Sequence, residues 1–462
     1  MKGEIQMANF SLQIEPIDDN VYKSLKNNTL GNNSWINKCL NVLLKMDNSI
    51  IAFDADWGNG KTFLAKQFQM IINEKWDMLF NQRSESEFNN IKELNFKDII
   101  DDSYYAIYYN AWEYDNENDP IASFLYYLLK ILNKKIQTNT FKSISSNFVK
   151  NVIEKISFGW IKISEEGEEN TIEKVLSSVI ETETIRKEIK KLLNELRKEK
   201  FDKLIIFIDE LDRCRPTYAL KIIEMIKHYL KMENILIVCM TDIKQLSNCI
   251  KKVYGNDYNS NMYLDKIFDY KFNLPCTKYD FKSYVNMKLN TYVQDNYFFD
   301  MICMEVINYF NLSLRNVDKY LSYIGKMFEI TKKGGDNDFT SRAFVIYLFV
   351  PYYVATLLFK QELYDNFMKG DLSEYIQFCK RDNVLHRVKQ IYSLSLKEDY
   401  DESKLFDYFT QDCKLMIKQI KGEKSQEEEY IVDKGYFMYK VNSYLKNIDL
   451  LNFFIINTKE NN

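Results

Sequence analysis

Short apolar runs alternate with segments of helical periodicity over the first 280 residues of the chain. Four of these runs have the length and composition of strands, and they lie at residues 50–53, 103–109, 203–208 and 235–240. The run at 203–208 is typical of a strand that is buried on both faces. The segments between them carry the apolar spacing of amphipathic helices, as at residues 63–72, 120–135 and 216–232. This alternation predicts an α/β domain with a mainly parallel sheet.

Beyond residue 280 the pattern is almost entirely helical. The whole chain contains only 13 Gly and 5 Pro among 462 residues, and so few breakers favour long helices over a turn-rich β architecture. We therefore expect three parts. They are an α/β core over residues 1–279 with a helical insertion at about 116–200, a helical lid over 280–330, and a helical C-terminal domain over 331–462.

The loop after the first predicted strand carries the most informative motif. Residues 55–62 read Ala-Asp-Trp-Gly-Asn-Gly-Lys-Thr, and a helix-compatible run starts at Phe63. A strand, a glycine-bearing loop and a helix in this order form a phosphate cradle, in which backbone N–H groups and the helix N-terminus face the anion. In such a P-loop, Lys61 reaches the terminal phosphates and the Thr62 hydroxyl ligates Mg²⁺.

This motif departs from the usual P-loop at one position. Ala55 stands where the first glycine is expected, and alanine tolerates fewer backbone conformations, so we expect a slightly strained or differently shaped loop. A surface turn with a chance lysine remains an alternative for the motif on its own. The choice depends on whether a partner motif exists.

A partner motif follows about 150 residues later. The apolar run 203–208 ends in Asp209 and Glu210, and two adjacent carboxylates at the end of a buried strand are costly unless they serve a cation or a reaction. In the functional interpretation, Asp209 holds magnesium through its water shell and Glu210 takes a proton from the water that attacks the γ-phosphate. In the structural interpretation, Asp209 or Asp212 caps the helix that follows.

Three further polar positions fit a nucleotide site, each with an alternative. Thr241 or Asp242, at the end of the neighbouring strand, orients the attacking water or else caps the next helix. Arg315, in the segment Ser-Leu-Arg-Asn before a helix, contacts the phosphates or is a solvated charge. Arg213 pairs with Asp212 or acts across a subunit boundary.

Composition narrows the class of protein. Apolar residues make up 46% of the chain and charged residues 28%, which excludes a mostly disordered protein. The net charge of −4 gives no indication of nucleic-acid binding. Eight cysteines without a Cys-x-x-Cys pair and only two histidines argue against a zinc site and against Ser/His/Asp catalysis. Scattered cysteines and the absence of a secretory signal pattern predict a cytoplasmic protein.

One uncharged segment raises the question of a membrane. Residues 343–359 carry no charge, but they are at the short limit for a bilayer span and contain Pro351. Their aromatic residues are spread through the segment rather than gathered at its ends. We expect a buried core helix, broken at Pro351.

Four motifs in this order resemble the KAP family of P-loop NTPases. They are Trp57-Gly58-x-Gly60-Lys61-Thr62, Asn110-Ala111-Trp112-x-Tyr114, the segment from Ile208 to Pro216 (Ile-Asp-Glu-Leu-Asp-Arg-Cys-Arg-Pro), and the segment from Tyr263 to Phe268 (Tyr-Leu-Asp-Lys-Ile-Phe) with Pro275 beyond it. The resemblance spans roughly residues 20–330. It implies a P-loop fold of the additional-strand (ASCE) type, a parallel sheet flanked by helices, and binding and hydrolysis of ATP with Mg²⁺.

The resemblance also implies roles for particular residues. Glu210, Lys61 and Arg315 become the catalytic candidates, with Arg315 as a second sensor, and Thr62 and Asp209 become the metal ligands. The nucleotide would be held by Trp57, Gly58, Asn59, Gly60, Lys61, Thr62 and Phe63.

The chain departs from the family pattern at Ala55, at Glu210, where a second aspartate is frequent, and in lacking a clear transmembrane hairpin. It thus resembles the soluble branch, and bacterial members that exclude phage suggest a role in defence. We expect a conformational or assembly switch that acts through a homo-oligomer or a protein partner. A nucleotide-holding module without turnover and a P-loop kinase remain alternatives. No motif that reads the base distinguishes ATP from GTP.

Overall fold

The computed structural model describes residues 15–74, 103–116, 120–135, 202–274, 279–290, 297–332, 343–396 and 401–421, together with residues 96, 187, 190 and 191. The chain divides into two compact units, Met1–Lys278 and Tyr279–Asn462. Most of the expected insertion at 116–200 lies outside the described residues. The expected separation of a lid over 280–330 from a C-terminal domain over 331–462 stays a prediction.

The first unit contains a sheet and its flanking helices. Its strands are β1 (Ser49–Asp54), β2 (Tyr104–Asn110), β3 (Lys203–Asp209), β4 (Ile235–Thr241) and β5 (Tyr270–Asn273). The described α-helices are α1 (Asp18–Asn27), α2 (Asn33–Leu43), α3 (Lys61–Ile72), Pro120–Lys135, Pro216–Met225, Ile243–Tyr254 and Ser260–Ile267. Single 3-10 turns, Ala111–Tyr114 and Leu211–Arg213, follow β2 and β3, and a π-helical turn, Ile226–Leu230, follows the helix Pro216–Met225.

The five strands are parallel and lie in the order β2-β3-β4-β1-β5. β4 therefore separates β1, which leads into the glycine loop, from β3, which ends in the acids. This is the additional strand that the resemblance implied, and the predicted α/β fold class is confirmed. β3 and β4 are buried along their whole length, which is why each reads as a continuous apolar run.

Two local features differ from the sequence expectation. β5 has only four residues and is largely exposed at the edge of the sheet, so it carries no apolar run that would have revealed it. The helix expected over 216–232 is α-helical only to Met225. It continues as a π-helical turn in which the Lys231 N–H donates to the Ile226 carbonyl, five residues back.

The side chain of Asn73 joins the end of α3 to the edge strand β2. The Asn73 side chain lies directly after α3, donates to the Ala106 carbonyl at 2.8 Å and accepts from the Ala106 N–H at 2.8 Å. It therefore satisfies two backbone groups of a strand that, within the described part of the chain, pairs only with β3. Because α3 begins at the glycine loop, this contact helps to fix the loop relative to the sheet.

The second unit is helical in all its described parts. Its α-helices are Lys282–Leu289, Tyr297–Tyr309, Leu314–Lys332, Val350–Phe359, Gln361–Met368, Ser373–Cys379, Asp382–Leu396 and Leu405–Ile420, and Ala343–Phe349 is a π-helix. This confirms the helical C-terminal region. Its core is aromatic, with the Tyr352 and Tyr375 rings at a centroid distance of 4.4 Å.

The uncharged segment 343–359 belongs to this core. Nearly all its side chains are buried, and the π-helical and α-helical parts meet next to Pro351, as expected for a broken core helix. Among the described helices, none has both the length and the apolar character needed to cross a bilayer.

The Asn73 contact gives a stability prediction. Asn73→Ala leaves the buried N–H of Ala106 without a partner and its carbonyl with only a long contact to Gln69, so we expect the free energy of unfolding to fall by about 2–4 kcal/mol in urea denaturation. Gln69→Ala is the matched control, because its amide reaches the same carbonyl only at 3.5 Å, and its effect should stay within about 0.5 kcal/mol. Equal midpoints for Asn73→Ala and wild type would refute this role.

Candidate functional site

The loop between β1 and α3 depends on two glycines in the left-handed region. Gly58 has φ 87° and Gly60 has φ 75°, where a residue with a Cβ atom is strained. Ala55 is not among the described residues with positive φ, and its N–H donates to the Thr241 carbonyl at 3.3 Å. The strain expected at Ala55 is therefore absent, because the loop places its left-handed residues where the glycines are.

Lys61 and Thr62 begin α3 directly after these glycines. The Lys61 ammonium folds back over the loop and donates to the Ala55 carbonyl at 2.6 Å and to the Asp56 carbonyl at 3.4 Å. The first intrahelical bond runs from the Leu64 N–H to the Gly60 carbonyl, so the N–H groups of the preceding helical residues face the loop without a partner in the helix. Phe63 is buried in the core, so a ligand contact there would come from its backbone.

The Thr62 hydroxyl connects the loop to the acids of β3. It donates to Glu210 Oε1 at 3.3 Å, although β4 lies between β1 and β3 in the sheet. The structure thus brings together the loop that follows β1 and the acids that follow β3, two motifs that are about 150 residues apart in sequence.

Asp209 is the fully buried member of the acid pair. Its carboxylate accepts from the Tyr108 hydroxyl at 2.9 Å and from the Glu210 N–H at 2.9 Å. Burial raises the pKa of Asp209 above its usual range, and the hydrogen bonds from Tyr108 and from the Glu210 N–H oppose this shift. Tyr108 was missed from the sequence because it lies in an apolar strand, and only the β2–β3 register brings it beside the end of β3.

Glu210, the first residue after β3, has an unusual backbone conformation. Its φ is 63°, a left-handed conformation that costs free energy for a residue other than glycine and is frequent at functional sites. Burial, followed by the negative charge of Asp209, raises the pKa of Glu210, and the Arg213 guanidinium opposes this. Arg213 forms an ion pair with Glu210 Oε2, so neither of its two expected roles accounts for this contact.

Asp212 and Asp242 have structural partners. Asp212 accepts from the Trp57 indole N–H at 2.5 Å, and the Thr241 hydroxyl lies at 3.5 Å from its other oxygen. Asp242 accepts from the Gln245 N–H at 3.0 Å and caps the helix Ile243–Tyr254, as one of its two expected interpretations required. Burial raises the pKa of Asp242.

The residues at this edge suit a magnesium ion bound together with phosphate. Thr62 and Asp209 offer hard oxygen donors, and the raised pKa of a fully buried carboxylate is the condition that a bound cation relieves. Among the residues that the structure describes, no three His, Cys, Asp or Glu side chains gather as a ligand set. Mg²⁺ accepts few protein ligands and completes its shell with phosphate oxygens and water, so this sparse donor set fits it.

Arg315 belongs to the second unit. It is the second residue of the helix Leu314–Lys332, whose Asn316 N–H lies at 3.4 Å from the Ser313 hydroxyl. Its role as a sensor of the phosphates stays a prediction.

The chain belongs to the KAP family, because residues 15–331, more than half of its length, match the KAP family P-loop domain. Membership in a family of P-loop NTPases indicates nucleotide binding. A comparison with curated proteins gives no match.

Glycine substitutions test the loop. Gly60→Ala places a Cβ atom at φ 75° in the middle of the cradle, so we expect loss of binding of a fluorescent ATP analogue in equilibrium titration. Gly31→Ala is the matched control, because Gly31 has φ 62° in the turn before α2 and should lose stability without losing affinity. Retained affinity in a folded Gly60→Ala protein would contradict the assignment of this loop.

Proposed function

We propose that the chain binds ATP with Mg²⁺ at the carboxyl edge of its sheet and hydrolyses it to drive a conformational or assembly switch. The observation that carries the proposal is the contact between Thr62 and Glu210, which joins the glycine loop to the acids of β3. Ligands of open parallel sheets bind beyond the carboxyl ends of the strands, where these two motifs meet.

In the proposed reaction, Glu210 accepts a proton from water while the water oxygen attacks the γ-phosphorus. The bond from the γ-phosphorus to the β–γ bridging oxygen breaks, and the products are ADP and inorganic phosphate. Lys61 and the backbone N–H groups of residues 57–63 bind the phosphates. Thr62 and Asp209 would hold Mg²⁺, which neutralises charge on the phosphate oxygens when bound.

The proposed output is mechanical. Departure of the γ-phosphate would release Arg315 in the second unit and let the helices after residue 280 move, either within one chain or in a homo-oligomer. A switch of this type needs no second catalytic site. We propose that its downstream partner is another protein.

Phosphate release tests these roles. We expect Lys61→Ala to lose both ATP binding and turnover, and Glu210→Gln to keep binding while turnover falls by about 10²–10⁴-fold, the usual contribution of a general base. Arg315→Ala should also keep binding and lose turnover. Turnover per chain that rises with protein concentration would indicate assembly.

Glu224→Gln is the matched acid-to-amide control for this experiment. Glu224 accepts from Tyr254 and Tyr263 and has no role in the proposed site, so its turnover should equal that of wild type. Full turnover in Glu210→Gln would remove Glu210 as the base.

The same assay separates the two alternatives. A nucleotide-holding module would bind ATP without releasing phosphate, and the intact set of Lys61, Thr62, Asp209 and Glu210 argues against it. A kinase would release little inorganic phosphate with or without its acceptor, and adding the acceptor would raise the formation of ADP instead, because the γ-phosphoryl group becomes bound to the acceptor. The adjacent acids Asp209 and Glu210 favour water as the acceptor.

We further propose a role in defence against phage, supported by the family alone. Expression of wild type in a phage-sensitive bacterial host should lower the number of plaques, and Lys61→Ala should restore it, because the switch would require bound ATP. If wild type and Lys61→Ala lower the number of plaques equally at equal protein levels, protection does not depend on the nucleotide site.

A further inference from the structure

Side chains from the segments that follow β1, β2 and β3 meet around Arg213. The guanidinium carbon lies 5.9 Å from the ring centroid of Trp57, which belongs to the loop after β1. It lies 5.8 Å from the ring centroid of Trp112, which belongs to the turn after β2. Arg213 itself belongs to the turn after β3 and forms an ion pair with Glu210. We call these four residues the arginine clamp.

Other contacts hold the Trp57 indole and the Trp112 backbone in place. The Trp57 indole N–H donates to Asp212, and the Trp112 backbone N–H donates to the Asn110 side chain at 3.1 Å. Both tryptophans are about half exposed, at 50% and 53%, so they cover the guanidinium without being core residues themselves. Aromatic faces attract a guanidinium through cation–π contacts and restrict its movement.

Glu210 needs an external restraint on its carboxylate. Its backbone is left-handed, and it lies immediately after a rigid, fully buried strand. One carboxylate oxygen faces the Thr62 hydroxyl and the other faces Arg213. Asp209 and Asp212 bring negative charge to the same turn, so the cation of the clamp also opposes their repulsion of Glu210.

Arg215 provides the contrast within the same segment. It is two residues beyond Arg213, its side chain is 56% exposed, and it pairs with Asp115 at 3.4 Å. It therefore has the same charge and nearly the same position in the chain, but it does not touch Glu210.

We propose that Arg213 is a positioning residue for hydrolysis, which holds the Glu210 carboxylate against the Thr62 end of the phosphate loop while Trp57 and Trp112 hold the guanidinium. The inference rests on the proposed function. It assigns Arg213 a task within one chain, and it gives the Trp57 and Trp112 positions of the family motifs a common physical purpose.

Steady-state kinetics of three variants test the clamp. We expect Arg213→Gln to lower kcat by roughly 10- to 100-fold, the range found for residues that orient a reacting group, while KM for ATP with Mg²⁺ changes little. Arg213→Lys should recover part of kcat, because it keeps the positive charge near the indoles but loses the planar guanidinium group. Arg215→Gln should behave as wild type.

Two further measurements separate positioning from a structural role. Arg213→Gln should change the tryptophan emission of the folded protein, whereas Arg215→Gln should not. In a double-mutant cycle, Arg213→Gln should lower the residual turnover of Glu210→Gln little or not at all, because Arg213 acts through the carboxylate that is already missing.

Each outcome has a definite meaning. If the wild-type protein hydrolyses ATP and Arg213→Gln has the same kcat, the proposed role of the clamp is wrong and the proposed function stands. A full additional loss in the double variant, or a loss in Arg213→Gln that falls on KM instead of kcat, also overturns the clamp. A wild type that binds ATP without any turnover overturns the proposed hydrolysis and the clamp together.

Discussion

The burial of negative charge at the end of β3 is the constraint on which the rest of the site depends. Asp209, Glu210 and Asp212 lie within four residues, and Asp209 is fully buried. An isolated buried carboxylate is strongly disfavoured, so each one requires a donor or a cation. Tyr108 from β2 supplies a donor for Asp209, Trp57 from the glycine loop supplies one for Asp212, and Arg213 supplies a cation for Glu210.

The parallel sheet makes these pairings possible. In the order β2-β3-β4-β1-β5 the carboxyl ends of all five strands point to one edge, and residues from loops that are distant in sequence become neighbours there. The two left-handed glycines turn the chain so that α3 begins at this edge, and Asn73 at its far end fixes the helix to β2. The loop is thus supported by α3, which begins directly after the loop and is fixed to β2 at its far end. A rigid support of this kind is what positions a binding site for phosphate.

The sequence was sufficient for features that have a strong local signature. Continuous apolar runs revealed β3 and β4, and the spacing of Gly58, Gly60 and Lys61 revealed the loop. It was insufficient where the signature is short or depends on tertiary contacts. β5 is an exposed strand of four residues, Tyr108 reads as one more apolar strand residue, and the partner of Arg213 is decided by the direction in which Glu210 leaves β3. At Ala55 the sequence suggested a problem that the structure does not have. This alanine replaces a glycine of the usual motif, but its backbone does not adopt a positive φ.

The most direct test of the proposed magnesium–nucleotide site is a titration with Mn²⁺, a paramagnetic substitute for Mg²⁺, in the presence of a nonhydrolysable ATP analogue. Electron paramagnetic resonance follows the binding of Mn²⁺. We expect wild type to bind one Mn²⁺ per chain in the presence of the analogue. Asp209→Asn should weaken that binding by roughly ten-fold or more, because the buried carboxylate is lost. Equal affinity for Mn²⁺ in wild type and Asp209→Asn would contradict the placement of the metal at the end of β3.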